Sequence, residues 1–330
     1  MPRRLTGFTP SGDLHLGNYI GAIRPIVEAQ RESAAPDDTV IFISDLHALT
    51  LEHDPADVRR RTLEFALLLL SAGTDPDRCL FLVQSHVPQH TELHYLLECV
   101  TGYGEAQRMI QFKEKAAKQQ QVRMSLLTYP ILMASDILLY DTDEVPVGED
   151  QRQHVELARD LAERFNARYG RTFTVPRAVN PPIAARLKDL TSPEGKMSKS
   201  SASAAGTLLL LDSEEALRRK VMRAVTDTGN EVRYDPEAKP GVSNLLDILA
   251  ACTGGDPREL SGSFDRYGEL KTAVADAVVG TIAPIRKRYE DLSAHPDHVA
   301  TVLRRGSTHA RDLAAGKVGR VKEAIGLLES

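Results

Sequence analysis

Cysteine is scarce in this sequence, and long apolar runs are missing. The three cysteines, Cys79, Cys99 and Cys252, are odd in number and far apart, which excludes a disulfide framework and a Cys-x-x-Cys metal site. No apolar run approaches the roughly 18 residues that a membrane-spanning helix needs. We therefore expect an ordinary soluble globular protein with reduced thiols.

A strong basic charge is also missing. The net charge is −5 at pH 7, so a polyanionic partner would have to be held by a local basic patch rather than by the field of the whole molecule. Residues 281–330 carry nine Lys or Arg against six Asp or Glu, a mild excess that a solvated helix face also explains. The candidates for a basic patch are Arg286, Lys287, Arg288, Arg304, Arg305 and Arg311.

The start of the chain shows no leader sequence. Residues 1–8 carry Arg3 and Arg4 but pass directly into a strand-and-turn motif, which leaves no room for a signal or transit peptide. A cytoplasmic protein is therefore expected, with no membrane and no DNA partner. At 330 residues, and with domains commonly of roughly 100 to 200 residues, the chain is expected to form two domains.

The first half of the chain alternates between predicted strands and predicted helices. Apolar strands are expected at 5–8, 40–43, 79–83 and 144–147, and long helices at 18–32, 55–71 and 150–169. This alternation predicts an α/β fold in which helices cover both faces of a parallel sheet.

Two segments are predicted to be loops, and the end of the chain is predicted to be helical. The polar stretch 113–123 interrupts a helical pattern and is expected to form a mobile basic loop. The segment 174–206, which is rich in proline and glycine, is the second loop. Beyond it the pattern predicts a C-terminal helical bundle with breaks at Gly254-Gly255, Pro284 and Pro296.

The segment 9–18 reads TPSGDLHLGN and lies between the first strand and the first helix. A helix amino terminus offers unpaired N–H groups and the positive end of a dipole, which suits a phosphate group. Gly17 has no side chain, so a flat adenine ring could approach the backbone there. His15 could donate a hydrogen bond to phosphate oxygens as negative charge builds on them, although a structural histidine near a turn is the alternative.

A second candidate phosphate site, KMSKS, occupies residues 196–200 and follows Pro193-Glu194-Gly195. Lys196 and Lys199, three residues apart on a flexible loop, could close over a triphosphate and neutralise the leaving pyrophosphate. A P-loop is excluded because Met197 stands where Ser or Thr is required, and no Gly-x-Gly-x-x-Gly signature occurs.

Together the two motifs resemble the paired signatures of the class I aminoacyl-tRNA synthetases, in which a HIGH-type motif opens a Rossmann-like fold and KMSKS follows its last strand. Other segments look like the bacterial tryptophanyl-tRNA synthetases, and the similarity covers essentially the whole chain. These segments are GNYIGA at 17–22, SDLHALT at 44–50, LTYPILMASDILLY at 127–140, VGEDQ at 147–151 and AVTD at 224–227.

The resemblance implies a domain plan and a role for individual residues. The plan is a Rossmann-like catalytic domain over 1–190, a KMSKS loop over 191–206 and a helical, anticodon-binding domain over 207–330. The residues implied for catalysis are His15, Lys196 and Lys199. Those implied for the tryptophan pocket are Asp136, Tyr129, Met133, His47 and Gln151. Those implied for ATP binding are Thr9, Pro10, Ser11, Gly17, Asn18, Lys115, Gly148, Glu149, Asp150, Leu187, Lys196, Met197, Ser198, Lys199 and Ser200.

Asp136 is the residue from which selectivity for tryptophan is expected, since the resemblance implies that it accepts the indole N–H. It lies among Met133, Ala134, Ile137 and Leu138, where an unpaired carboxylate would be costly unless a donor regularly arrives. A site built around such a hydrogen bond can reject an analogue without the donor by roughly 10⁴ to 10⁵. A helix aspartate paired with arginine or solvent is the alternative.

Two positions depart from the general pattern of these synthetases. Thr9 stands where Gln or Arg is more common, which leaves its side-chain contact to substrate open. Asn18 replaces the second histidine of the HIGH pattern, as is usual for the tryptophanyl branch, and it keeps a hydrogen-bonding group.

The implied reaction joins L-tryptophan to ATP with the help of Mg²⁺, and then transfers tryptophan to tRNA(Trp). The implied assembly is a homodimer whose tRNA spans both subunits. The alternatives are a tyrosyl-tRNA synthetase, a small cofactor adenylyltransferase, and a synthetase-like protein that only binds RNA or tryptophan. The element GEDQ at 148–151, the long helical C-terminal half and the intact His15, Lys196 and Lys199 favour the tryptophanyl enzyme.

Overall fold

A parallel β-sheet forms the centre of the computed structural model, which describes residues 2–117, 121–180, 187–197 and 204–328. Within these residues the strand order is β3-β2-β1-β4-β5, and all the strand pairs are parallel. The strands are β1 (Arg4–Phe8), β2 (Thr39–Ile43), β3 (Leu80–Val83), β4 (Glu144–Pro146) and β5 (Arg177–Val179).

Helices connect and cover these strands. Those of the first part are α1 (Leu16–Asn18), α2 (Arg24–Glu32), α3 (Asp45–Ala48), α4 (Pro55–Ser71), α5 (Gln89–Glu98), α6 (Tyr103–Arg108), α7 (Ile110–Ala116), α8 (Met124–Leu139) and α9 (Arg152–Tyr169). Those of the second part are α10 (Glu214–Met222), α11 (Pro240–Thr253), α12 (Pro257–Ser261), α13 (Tyr267–Ser293) and α14 (Pro296–Ile325). A π-helical segment, Tyr19–Ile23, joins α1 to α2.

The interior strand β2 shows why the sheet is buried on both faces. Successive side chains of a strand point to opposite faces. Ile41 and Ile43 accordingly join one buried apolar cluster, whereas Val40 and Phe42 join the other. The predicted α/β class with a parallel sheet covered on both sides is therefore confirmed.

Three local predictions were wrong. The stretch expected to form a loop from residue 113 is helical as far as Ala116, because lysine, glutamate and alanine are good helix formers even without an apolar stripe. The short edge strand β5 lies inside the predicted loop 174–206, where three residues are too few to show periodicity. Pro284 lies inside α13 and does not end that helix.

The last helix, α14, returns to the sheet and packs against β3 and α5. Gly306 allows this approach, since a Cβ at that position would lie 1.8 Å from the carbonyl oxygen of Phe81. One buried apolar cluster includes both Phe81 and C-terminal residues such as Val299 and Leu303. A separate helical domain over 207–330 stays a prediction. None of the helices in the described ranges has the length and apolarity needed to cross a membrane.

Candidate active site

A cleft of about 830 Å³ opens at the carboxyl ends of the strands. The chain order reverses beside β1, because β2 lies on one side of it and β4 on the other. Open parallel sheets bind ligands at such a reversal point, in the crevice beyond the strand ends. The cleft walls accordingly include Thr9 just after β1, Ser44 just after β2, and Val147 just after β4.

The predicted site residues fall into three groups. Those that line the cleft are Thr9, Pro10, Ser11, Asn18, His47, Lys115, Tyr129, Met133, Asp136, Gly148 and Gln151. Those that lie outside its lining are His15, Gly17, Glu149, Asp150, Leu187, Lys196 and Met197. Ser198, Lys199 and Ser200 lie outside the described residues. The structure thus brings together every residue predicted for the tryptophan pocket.

Asp136 is buried at the floor of the cleft, where three protein groups hold its carboxylate. Gln84 Nε2 donates to Oδ1 at 2.7 Å, and His90 Nδ1 lies 2.7 Å from the same oxygen. His47 Nε2 lies 2.8 Å from Oδ2. These three groups come from parts of the chain that lie far from Asp136 in sequence.

The charge state of Asp136 follows from these contacts. Burial alone would raise its pKa, but the hydrogen bonds from His47 and His90 outweigh burial and hold the pKa below its usual value. The carboxylate is therefore ionised at neutral pH. An ionised carboxylate has about four acceptor positions, of which the described residues fill two on Oδ1 and one on Oδ2. Among these residues no further partner of Oδ2 is found, so one position remains there, beside the cleft-lining His47.

Tyr129 contacts a buried histidine and a lysine at the wall of the cleft. Its hydroxyl lies 3.0 Å from Nε2 of the buried His154, and the Lys115 ammonium lies 4.7 Å from its ring centroid. Burial, together with the Lys115 charge, lowers the pKa of His154 to about 4, so this imidazole is neutral. Burial of the ammonium end also lowers the pKa of Lys115, although the Asp150 charge opposes that shift.

The HIGH-type segment is tied to the chain that follows the KMSKS loop. Leu16 N donates to Leu208 O at 2.8 Å, and Leu210 N donates to Leu14 O at 3.0 Å. His15 is buried between these two hydrogen bonds. A Cβ on Gly17 would lie 3.1 Å from Cε1 and Nδ1 of the His15 ring, so the missing side chain makes room for this imidazole.

Asn18 and Thr9 contact the protein through their side chains. Asn18 Oδ1 accepts a hydrogen bond from His15 N at 3.1 Å, which caps the first turn of the helix. The Thr9 and Ser44 hydroxyls lie 3.0 Å apart and link the ends of β1 and β2. Both residues therefore stabilise the mouth of the cleft.

Lys196 and Met197 lie on a short hairpin that enters the KMSKS loop. Met197 N donates to Leu187 O at 2.9 Å, and Asp189 N donates to Gly195 O at 3.0 Å. Met197 and Leu187 are buried in the apolar core, whereas Lys196 is exposed. Of these three, only Lys196 presents its side chain to solvent, where its ammonium group could contact a phosphate.

Comparisons with known proteins connect this geometry to a family. The family of class I tRNA synthetases (W and Y) matches residues 2–281. Tryptophan--tRNA ligase 1 of Streptomyces avermitilis is 55% identical over 334 residues, with 100% of both chains covered. The chain belongs to the tryptophan--tRNA ligases of this class. The family resemblance inferred from the motifs is thereby confirmed.

Solved structures agree with the ligase family at the level of the fold. Tryptophanyl-tRNA synthetase from Mycoplasma pneumoniae is 34% identical, with a TM-score of 0.88, and the match covers 99% of this chain and 98% of that chain. The enzyme from Campylobacter jejuni, in complex with ADP and tryptophan, is 36% identical. Its TM-score is 0.85, and the match covers 98% of this chain and 100% of that chain.

Four polar residues of this ligase site escaped the sequence reasoning. Gln84 and His90 contact Asp136, Tyr140 contacts His90, and His154 contacts Tyr129. Gln84 follows β3 directly, at the same sheet edge as Thr9 and Gly148. Its position after an apolar strand was a usable signal, because the ends of parallel strands converge on the site. The two histidines and Tyr140 carry no comparable signal.

The described residues provide no resident metal site for the ligase. Among them no group of three or more His, Cys, Asp or Glu is placed to hold a metal ion. Magnesium often keeps its waters and binds through substrate phosphates with only one or two carboxylates. The protein groups found here therefore do not form a dedicated Mg²⁺ cage.

Most of the predicted basic patch is engaged within the ligase itself. Arg288 Nε donates to Ser71 O at 2.5 Å, and Arg311 Nε donates to His86 O at 2.8 Å. Arg305 pairs with Asp77 at 2.5 Å, and Arg286 pairs with Glu290 at 3.4 Å. Lys287 and Arg304 make no such contact with the described residues, so they are the better candidates for RNA phosphates.

Proposed function

We propose that this chain activates L-tryptophan with ATP, releases pyrophosphate, and transfers the tryptophanyl group to tRNA(Trp). The full-length similarity to a tryptophan--tRNA ligase supports this function. The Campylobacter jejuni structure with ADP and tryptophan supports a cleft that holds both an amino acid and a nucleotide.

The observation that carries the proposal is the remaining acceptor position on Asp136 Oδ2. The position belongs to an ionised carboxylate that lines the cleft beside His47, Tyr129 and Met133. A charged acceptor in an apolar surrounding strongly favours a ligand that brings an N–H donor. An indole ring among these side chains would bury its apolar body and present its N–H to Oδ2.

Activation of tryptophan would be an in-line displacement at the α-phosphate of ATP. The tryptophan carboxylate, which is ionised at neutral pH, supplies the attacking oxygen, so no protein base is required. The new bond joins that oxygen to the α-phosphorus, while the bond to the pyrophosphate oxygen breaks. The 2'-hydroxyl of the terminal adenosine of tRNA then attacks the tryptophanyl carbonyl, and AMP leaves.

The protein would contribute positioning and positive charge to this step. Lys115 lies between the tryptophan wall, where it covers the Tyr129 ring, and Asp150 on the nucleotide side. Lys196 is exposed at the entrance of the KMSKS loop. We assign both to phosphate neutralisation, with His15 at the helix start and Lys199 beyond the described hairpin. Mg²⁺ would arrive with the phosphates of ATP.

We also propose a homodimer in the cytoplasm. Large exposed apolar side chains occur on α5 to α8 and on the loop after α3, and they comprise Leu51, Tyr95, Tyr103, Ile110 and Met124. Arg123 Nη1 donates to Leu51 O at 3.1 Å, which places that loop beside the start of α8. A second copy of the chain is the occupant that self-complementary burial would favour. This assembly is supported if the parent protein sediments as a dimer and the Met124→Glu variant sediments as a monomer.

Amino-acid-dependent exchange between ATP and pyrophosphate tests the proposed function. We expect exchange with tryptophan, and a rate with tyrosine lower by several orders of magnitude. Charging of tRNA(Trp) with labelled tryptophan tests the second step. Exchange on tyrosine but not on tryptophan would refute the assignment, and binding of tryptophan without exchange would indicate a sensor rather than an enzyme.

A further inference from the structure

The Gln84 side chain has only one orientation that satisfies its hydrogen bonds. Its Oε1 accepts a hydrogen bond from Leu46 N at 3.1 Å, and a backbone N–H can only donate. The amide NH₂ group must therefore face Asp136 Oδ1, 2.7 Å away. Gln84 is fully buried, so no solvent rearrangement competes with this arrangement.

The His90 ring is also held in one orientation. Its Nδ1 lies 2.7 Å from Asp136 Oδ1, and its Nε2 lies 2.9 Å from the Tyr140 hydroxyl. The Nδ1 edge of the ring is directed at the carboxylate, and the Nε2 edge faces the Tyr140 hydroxyl. Gln84 and His90 together fill both acceptor positions of Oδ1, and neither of them lines the cleft, whereas His47 on Oδ2 does.

We infer that Gln84 and His90 are positioning residues that determine amino-acid selectivity. They hold the carboxylate in one orientation, in which both acceptor positions of Oδ1 are occupied. The remaining acceptor position then lies on Oδ2 in the cleft. Without them the carboxylate could rotate, and the inner oxygen would need other donors. Selectivity for an N–H donor would then fall even though Asp136 itself is intact. This inference rests on the proposed function, and it adds the two groups that fix the orientation of the Asp136 carboxylate.

A purely structural role predicts something different. If Gln84 only filled space between β3 and α8, its loss would weaken the binding of all ligands of similar shape equally. If Gln84 positions the carboxylate, its loss would weaken the binding of tryptophan. It would not change the binding of a ligand of the same shape that has no N–H donor. The amino acid 3-(benzothiophen-3-yl)alanine is such a ligand, because sulfur replaces the indole N–H.

The experiment compares the two ligands in Gln84→Met, which keeps the side-chain length and removes the amide. The KM for tryptophan in pyrophosphate exchange should rise roughly 10- to 100-fold, as expected for a hydrogen-bond system centred on a charged group, with kcat little changed. The inhibition constant of the benzothiophene analogue should stay the same within error. A parallel loss for both ligands, or no loss for either, would overturn the inference.

Gln30→Met is a matched control. Gln30 is also buried, its Nε2 donates to Gly73 O at 2.7 Å, and its Oε1 accepts from Asp75 N at 3.1 Å, away from the cleft. We expect Gln30→Met to lose about as much thermal stability as Gln84→Met and to keep the parent's selectivity for tryptophan over the benzothiophene analogue. If Gln84→Met does not fold, Tyr140→Phe decides by the same two measurements, with a smaller shift in the same direction. Absence of tryptophan-dependent exchange in the parent protein would refute the proposed function instead.

Discussion

The regions proposed for the amino acid and for the nucleotide are built in different ways. In the first, Asp136 is buried and held by Gln84, His90 and His47. In the second, Lys115 lines the cleft at the end of a short helix, and Lys196, outside the cleft lining, is exposed on a hairpin. The first region is preorganised, whereas the second presents its charges at the surface.

This difference agrees with what each side has to do. Selection of one amino acid needs a fixed acceptor, since a buried polar group that is left unpaired discriminates strongly. Phosphate chemistry needs positive charge at the moment when pyrophosphate leaves, and exposed lysines can supply it. Substitutions on the two sides should therefore separate into effects on selectivity and effects on rate.

The largest effect is expected for Asp136→Asn. Gln84 and His90 would hold the amide oxygen on the inner side, so the amide NH₂ would face the indole N–H. We expect kcat/KM for tryptophan in pyrophosphate exchange to fall on the order of 10⁴-fold. The preference for tryptophan over the benzothiophene analogue should vanish. Retention of that preference would show that selectivity has another source.

Lys196→Ala should produce the next largest effect, and on rate rather than binding. Loss of one charge that stabilises the leaving pyrophosphate should lower kcat about 10²-fold and leave the KM for tryptophan unchanged. Lys188→Ala is the control, because Lys188 lies opposite Lys196 in the same hairpin. Steady-state exchange kinetics measure both variants. Equal losses in the two would mean that hairpin stability, not the Lys196 charge, matters.

His154 should make the stability of the protein depend on pH. Its pKa is about 4 in the folded state, and about 6.5 is the ordinary value in an unfolded chain. Between these values the unfolded chain binds a proton that the folded chain does not, so stability falls as the pH falls from 6.5 to 4. We expect the free energy of unfolding to be about 2 kcal/mol lower at pH 5 than at pH 7. Urea unfolding of the parent and of His154→Gln measures it, and an identical pH dependence in both would contradict the assignment.

Gly17→Ala should have the smallest effect, about a tenfold loss in kcat, because the new Cβ would press on the His15 ring and move it by a few tenths of an ångström. Gly21→Ala is the matched control in the next helical turn, since a Cβ there meets no atom within 4 Å. Exchange kinetics with saturating tryptophan compare the two. If both variants keep the parent rate, the position of the His15 imidazole is not important for the reaction.

The same contrast explains how far the sequence could predict the site. Motifs at strand ends, such as Thr9 and Gly148, could be placed because parallel strands bring their carboxyl ends to one edge. The partners of Asp136 could not be placed, since Gln84 and His90 lie 52 and 46 residues away along the chain. Contacts over such separations depend on how α5 and α8 pack, and local patterns do not report that.

The sequence predicted the fold about as far as it predicted the site. The long apolar strands and amphipathic helices indicated the α/β class directly. The edge strand β5 was missed because three residues show no periodicity, and the end of helix α7 was placed too early because a charged segment resembles a loop. The return of α14 onto β3 depends on Gly306, a residue whose role appears only when the two backbones are seen together.

A crystal structure with bound tryptophan would show directly which protein atom contacts the indole N–H. We predict the indole nitrogen within hydrogen-bond distance of Asp136 Oδ2, at roughly 2.7 to 3.2 Å, with Gln84 and His90 still on Oδ1. An indole nitrogen turned away from Asp136, or bound to Oδ1 with Gln84 displaced, would contradict it.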